Sequence, residues 1–452
     1  MSRVQTYALL LLPLLSIAAC QRPAPERTAP TTDTVVFTGF TLIDGTGRPA
    51  VPNSAMTVEE GRIRWVGPVA ELKAPAGATT VDLAGKFVMP GLINLHGHLG
   101  NMVGLTQDAA FYTRQTVEHD LRMYASYGVT TMLSLGIDTD LIFDVRAEQR
   151  KSRPTMARVY TAGQGLVYKG GFGGSLSLPG VPTPIISSVS EVDAAVAEQA
   201  TKGVDFLKFW TDDAYGAVKR MPFDIADAII SSGHKHGLRV IAHVFYLEDA
   251  KHLAASGVDA LAHSVRDQLV DQQLIDLMKR NGTWLASASL TRELALSSYA
   301  TTPPFINDPF FIRSTTPDVL KTLASPEYQK KMAADPNPRR HPVAGDIEMK
   351  NLKTLADAGV RYGFGTDTGV PGRFHGYFEH VELTRMVESG LTPMQALVAA
   401  TGNAAEFLGA KDLGTLEAGK WADLVVLQRD PLADINNSRT IESVYIAGGK
   451  VH

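Results

Sequence analysis

The stretch MPGLINLHGHLG, residues 89–100, places His96 and His98 one residue apart behind an apolar run. The chain has only 12 histidines in 452 residues. In a strand, residues i and i+2 point to the same side, so the two imidazoles project together. Four further apolar runs end in residues of matching chemistry: Lys208 in DFLKF, His243 in RVIAH, His263 in DALAH and Asp367 in GFGTD. As parallel strands of one sheet, these runs bring four imidazoles, a carboxylate and an amine to one end. Imidazole nitrogen and carboxylate oxygen suit zinc, manganese, iron or nickel rather than calcium. A lone histidine is more often a packing or surface residue, and His119, His234, His236, His252, His341, His380 and His452 are read that way. Ligand-type residues at five strand ends on one face are read jointly as a metal site.

Lys208 needs its own argument. A protonated lysine beside dications would be repelled. The flanking FLKFW argues for burial, and a buried lysine can lose its proton. The neutral amine can then take up carbon dioxide, and the resulting carbamate can bridge two ions. The alternative is a mononuclear site with an unmodified Lys208. Tyr246, three residues past His243, is a candidate to donate a hydrogen bond to a scissile carbonyl. Tyr168, Arg266, Arg373 and His375 are candidates to grip a substrate carboxylate, as arginine does well.

The elements that must position these residues are legible from periodicity. GVTTMLSLG, RVYTAG, VDFLKFW, RVIAHVF, DALAHSV, TWLASAS and VRYGFGTD read as buried parallel strands. With residues 92–98 they number eight. SEVDAAVAEQATKG, FDIADAIISSGHKHG and LEDAKHLAASG read as amphipathic helices closed by glycine. The expected fold class is α/β, a (β/α)8 TIM-like barrel, with a doubly wound open sheet as runner-up. Both chain ends read as short alternating strands, TVVFTGFTLIDGTG, SAMTVEEGRIRWVG and TTVDLAGKFVMPG at one and WADLVVLQRD and ESVYIAGGKVH at the other. They predict a small β-sandwich shared by the termini. The expected boundaries are 34–88 and 406–452 for the sandwich and 89–405 for the barrel. Two segments read as long loops, a Gly-rich one over 163–184 and a Pro-, Thr- and aromatic-rich one over 290–345. Loops of that length serve as lids or substrate walls.

A net charge of −4 gives no reason to expect nucleic acid or a polybasic membrane contact. The beginning of the chain is a separate object. Arg3, an apolar run and Ile17-Ala18-Ala19-Cys20 form an export signal over residues 1–20, too short for a membrane span. Cys20 is the only cysteine, so no intrachain disulfide can form. Its setting resembles a bacterial lipobox, which implies lipidation of Cys20 and a membrane-anchored periplasmic lipoprotein. Ordinary secretion to the periplasm is the alternative. Residues 21–33 are polar and Pro-rich and read as a tether.

The motifs MPGLINLHGH, KF, IAH, AHS and GTD, in that order, resemble the metal-dependent amidohydrolase superfamily. So does the ending AATGNAAEFLGAKDLGTLEAGKWADLVVL. The resemblance covers residues 34–452 and is nearest to the imidazolonepropionase-like and Xaa-Pro-dipeptidase-like members. It implies His96, His98 and Asp367 on one zinc-like ion, His243 and His263 on a second, and carbamylated Lys208 between them. Such ions lower the pKa of water towards about 7 and polarise a carbonyl. Asp367 then orients the water, takes its proton and passes it to the leaving amine. The expected activity is hydrolysis of a C–N amide bond in a small molecule, of dipeptide or N-acyl amino acid type. Cyclic amide or lactone hydrolysis, or deamination, would use the same residues. A non-catalytic surface-binding lipoprotein is the reading from a different class, and the intact ligand set argues against it. The expected membrane contact is through the lipid on Cys20 alone, and the oligomeric state is left open, a homo-oligomer included.

Overall fold

The structure, a computed structural model, describes residues 34–174, 180–181, 183–334 and 340–452, with only the backbone of residue 340. The expected export signal, Cys20 and the expected tether lie outside the described residues. Residues Asp33–His452 cluster as one compact unit. Among the described residues no helix is long and apolar enough to cross a membrane.

The chain enters through β1 (Thr34–Leu42), β2 (Val51–Glu59), β3 (Arg62–Pro68), β4 (Thr79–Asp82) and β5 (Phe87–Pro90). After Gly91 it continues directly into β6 (Leu92–Gly97), which carries His96. Five mostly apolar strands follow, each fully or half buried: β7 (Val129–Ser134), β8 (Arg158–Thr161), β9 (Leu207–Trp210), β10 (Val240–His243) and β11 (Ala260–Leu261). The last of this series is β12 (Trp284–Leu285). All pairings here are parallel, in the orders β8-β7-β6 and β9-β10-β11-β12. The two groups meet where Asp205 N donates to Thr161 O and Leu166 N to Lys208 O, both at 2.8 Å. Helices Val189–Lys202, Phe223–Lys235 and Leu247–Ala255 match the expected ones, and Gly203 closes the first in the left-handed region. The molecule is thus α/β and TIM-barrel-like.

The expected strand in VRYGFGTD differs. It makes parallel bridges at both ends, Leu285↔Tyr362 and Gly97↔Thr368, without a regular ladder. Hydrogen bonds from Leu95 N to Phe364 O and from His98 N to Thr368 O, both 2.8 Å, join it to β6. Gly363 and Gly365 explain the closeness: a Cβ would lie 2.5 Å from Leu95 Cδ1 at the first and 2.6 Å from Ser287 Cβ at the second.

The chain ends in β13 (Leu424–Leu427), β14 (Ile441–Ile446) and β15 (Gly449–Lys450). These join β1–β5 in one eight-stranded sheet, with β13 antiparallel to β5 in the register Leu424↔Pro90. Strand β5 runs across the expected boundary at 88/89, and helix Gly402–Leu408 runs across that at 405/406.

The expected loop over 290–345 is largely helical in its described part: Thr291–Ser298, Pro309–Ile312, Pro317–Leu323 and Pro326–Ala333. Asp308, Thr316 and Ser325 each cap a helix whose first residue is proline. These pairs satisfy a free N–H and preset φ at the helix start. The aromatic residues are the buried core of this cover: Tyr299, Phe311, Phe374, Tyr377 and Phe378 pack together.

His380 ties the helix Tyr377–Glu388 to its surroundings, with Nδ1 2.9 Å from Ser438 Oγ and Nε2 2.9 Å from Tyr127 O. Burial lowers its pKa to about 3. Its neutral form is the folded form, so its contribution is complete above the unfolded value of about 6.5 and is lost as pH falls towards 3. Between pH 6.5 and 5 the loss is about 2 kcal/mol. Denaturant unfolding at pH 7.5 and 5 should therefore show a larger drop for wild type than for His380→Gln. Equal drops would remove His380 from the acid response.

Candidate metal centre

The six ligand candidates converge as the strand ends predict. His96, His98, Lys208, His243, His263 and Asp367 are all buried. His98 Nε2 lies 2.8 Å and His96 Nε2 3.4 Å from Asp367 Oδ1, and His263 Nε2 lies 4.0 Å from Asp367 Oδ2. The His96 and His263 rings are 4.7 Å apart and those of His243 and His263 4.4 Å. Donor atoms of His96, His263 and Asp367 all fall within 4.8 Å of one another. Both nitrogens of His263, Nδ1 of His98 and Nζ of Lys208 are buried without a hydrogen-bond partner. Buried polar atoms are normally paired, so such a concentration of orphans marks a place where a ligand belongs. The set fits a divalent metal, since imidazole nitrogens and a carboxylate oxygen are its donors.

The electrostatics agree. Burial holds His96 and His263 well below the usual imidazole range and takes His243 to about 4, against the pull of Asp212 at 3.0 Å. Neutral imidazole is the form that binds metal. Burial also lowers the Lys208 ammonium to about 7, although Asp367 opposes this. Burial would raise the Asp367 carboxyl, but Arg373, His96 and His98 hold it well below the carboxylate range. Asp367 sits at φ +59, in the left-handed region that aspartate tolerates better than most side chains.

A hydrogen-bond clamp fixes the ligand-bearing backbone. Asn94 Oδ1 accepts from His96 N at 2.9 Å, and its Nδ2 donates to Glu379 Oε1 at 2.9 Å. Thr366 and Thr368 hydroxyls both donate to the same Glu379 oxygen at 2.7 Å. One buried carboxylate thus joins β6 to the Asp367 segment. Gly365 completes the fit, since a Cβ there would lie 2.8 Å from His96 N. Gly365→Ala should displace His96 and weaken metal affinity by about 10- to 100-fold, read by chelator competition. Unchanged affinity would show that the backbone yields without moving the ligand.

The residues beside the ligands in sequence fare unequally. Arg373 lines the cavity over the site and pairs with Asp367 Oδ2. His375 turns away and holds the His98 carbonyl, with Nε2 at 2.8 Å. Arg266 is buried beside Glu293, with Nε 3.4 Å from it, and does not line the cavity. Tyr168 lies on a two-residue strand, outside the cavity lining. The Tyr246 hydroxyl donates to Asp213 at 2.8 Å, with Arg220 stacked 4.0 Å over its ring. Its hydroxyl is engaged with Asp213 in this structure, and Tyr246 is not among the residues lining the cavity. Arg292 was not singled out by sequence. It lines the cavity, with Nε 3.7 Å from Asp367 Oδ2, and its only sequence signal is a charge within the apolar SLTRELAL. The cavity holds about 310 Å³ and has apolar walls from Phe172, Trp210, Ile137 and Leu296.

The chain is similar to known proteins over most of its length. Ochratoxinase from Aspergillus niger is 25% identical over 439 residues, spanning 89% of this chain and 82% of that protein. Imidazolonepropionase from Cupriavidus necator is 25% identical over 458 residues, spanning 94% and 96%. The crystal structure of a Xaa-Pro dipeptidase with bound methionine superposes with a TM-score of 0.72 at 21% identity, covering 92% of this chain and 99% of that one. The sequence profile of the amidohydrolase family matches residues 87–451, and the chain belongs to that family of hydrolases acting on C–N bonds.

Proposed function

We propose that the protein hydrolyses the amide bond of a dipeptide or N-acyl amino acid, using two divalent ions, zinc in the first instance. His96, His98 and Asp367 would hold one ion, His243 and His263 the other, and Lys208, as its carbamate, both. This reading takes the parallel strands as a closed (β/α)8 barrel and the shared end strands as a sandwich. It also takes the protein to be an exported lipoprotein anchored through Cys20.

Ions bound there supply Lewis acidity, polarising a carbonyl and making water a nucleophile near neutral pH. Asp367, kept ionised by the Arg373 guanidinium beside it, would orient the attacking water, accept its proton and deliver it to the leaving amine. The carbamate on Lys208 forms from the neutral amine and carbon dioxide with release of one proton. Arg292 and Arg373 put two guanidiniums in the lining of an apolar cavity whose one lining carboxylate is Asp367, and the buried Glu293 pairs with Arg292 from behind. These two guanidiniums lining an apolar cavity are the observation that carries the substrate class: an apolar acyl part with a free carboxylate beside the scissile bond.

A hydrolysis screen of the metal-loaded protein tests the proposal, with dipeptides, N-acyl amino acids, lactones and hydantoin-like rings. The carboxylate-bearing amides should be the best substrates. Cleavage of lactones alone would sink the reading, and no turnover despite two bound ions would favour a binding protein.

A further inference from the structure

A second cavity, of about 300 Å³, opens far from the ligands, where the end-strand sheet meets the start of β8. Four guanidiniums line it: Arg62, Arg146, Arg150 and Arg158. Their carboxylate partners are three. Asp412 lies 3.2 Å from Arg62, Asp205 takes Arg146 at 2.6 Å and Arg150 at 2.8 Å, and Asp423 takes Arg158 at 2.9 Å. The cavity therefore keeps one positive charge in excess. Trp421 forms part of its wall, with the Arg62 and Arg158 guanidiniums 3.9 and 5.1 Å from its ring centre. Exposed Lys151 ends the adjoining helix Leu141–Lys151, and the Arg153 side chain beyond it lies against the β2–β3 turn at Gly61. The acids of that turn, Glu59 and Glu60, face Arg64.

The place of this pocket relative to the chain's entry is informative. Thr34 pairs with Glu59, and Glu59 with Arg62, so Arg62 stands two strands from the first described residue, about 10 Å away. Residues 21–33 span at most about 45 Å when extended. A lipid on Cys20 would therefore leave this face within reach of the membrane.

We propose that the arginine pocket docks the protein on the membrane by binding the phosphate of an anionic phospholipid headgroup. Arginine recognises phosphate through paired N–H donors, and tryptophan suits the membrane interface. The docking rests on the lipoprotein reading for its geometry but adds a direct lipid contact, beyond the anchor alone.

The test uses the chain from Gln21 onward, which contains the whole compact unit and carries no acyl group. Its sedimentation with phosphatidylcholine vesicles is compared with that on vesicles containing about 30% phosphatidylglycerol. Association with the anionic vesicles only, weakened by salt at about 0.5 M, is expected. Arg62→Ala/Arg150→Ala should lower it by about fivefold for each arginine removed. Lys330→Ala/Lys331→Ala, the same charge change on the helical cover, should leave it unaltered. Equal binding to neutral vesicles, equal loss in both double variants, or binding of inorganic phosphate without vesicle association would overturn the proposal. The mass of Cys20-containing peptides from membranes tests the anchor separately, so either idea can fail alone.

Discussion

Asp367→Asn is expected to fold, to bind metal more weakly, and to lose turnover by about 10³- to 10⁴-fold. Two features make asparagine the informative replacement. It tolerates the left-handed φ of +59 that Asp367 adopts, so the backbone is not the cause of the loss. It also keeps the volume and one oxygen near His98 Nε2, now 2.8 Å from the carboxylate. What it removes is the negative charge and the ability to take a proton. kcat, KM, metal content and circular dichroism should be read on one preparation. A KM near wild type with a collapsed kcat supports proton handling by Asp367. Activity within about tenfold of wild type would remove it from that role.

Lys208→Met should reduce two bound ions per chain to one and lower turnover by about 100-fold or more. Methionine matches the buried stem and cannot form a carbamate. Lys208 is fully buried with Nζ unpaired, so no salt bridge is lost with it. Stability gives a readout independent of activity. Burial takes the ammonium to about 7, and a lowered lysine pKa means stability present above the unfolded value of about 10.4 and lost as pH falls towards 7. The metal-free variant should therefore melt above metal-free wild type at pH 7. Two ions retained at full activity would leave Lys208 a packing residue and favour independent metal sites.

The convergence of the six candidates is legible because three local rules act together: apolar runs become buried strands, alternate residues share a side, and parallel strands place their ends on one face. None of these depends on distant contacts. The helical cover was misread because proline and threonine weigh as loop formers in composition, whereas in Asp308-Pro309, Thr316-Pro317 and Ser325-Pro326 they start helices. Position counts more than composition there. Tyr246, Arg266 and His375 stand beside ligands in sequence, yet each side chain is claimed by a partner from elsewhere: Asp213, Glu293 and the His98 carbonyl. Glu379 and Arg292 were hidden for the converse reason. Their partners lie on segments far away in the chain, and no local pattern announces them.

The pairing of β5 with β13 also sets a timetable. Roughly 330 residues separate Pro90 from its partner Leu424. At ribosomal rates of about 5–20 residues per second, β5 waits roughly 20–70 s for that partner to be made. During this interval the edge of β5 has no β13 to cover it, and an uncovered strand edge invites pairing with other chains. Strand β6, which carries His96, follows β5 with only Gly91 between. Holding the early strands apart until the last residues arrive is therefore a requirement of production, set by topology and independent of the stability of the finished enzyme.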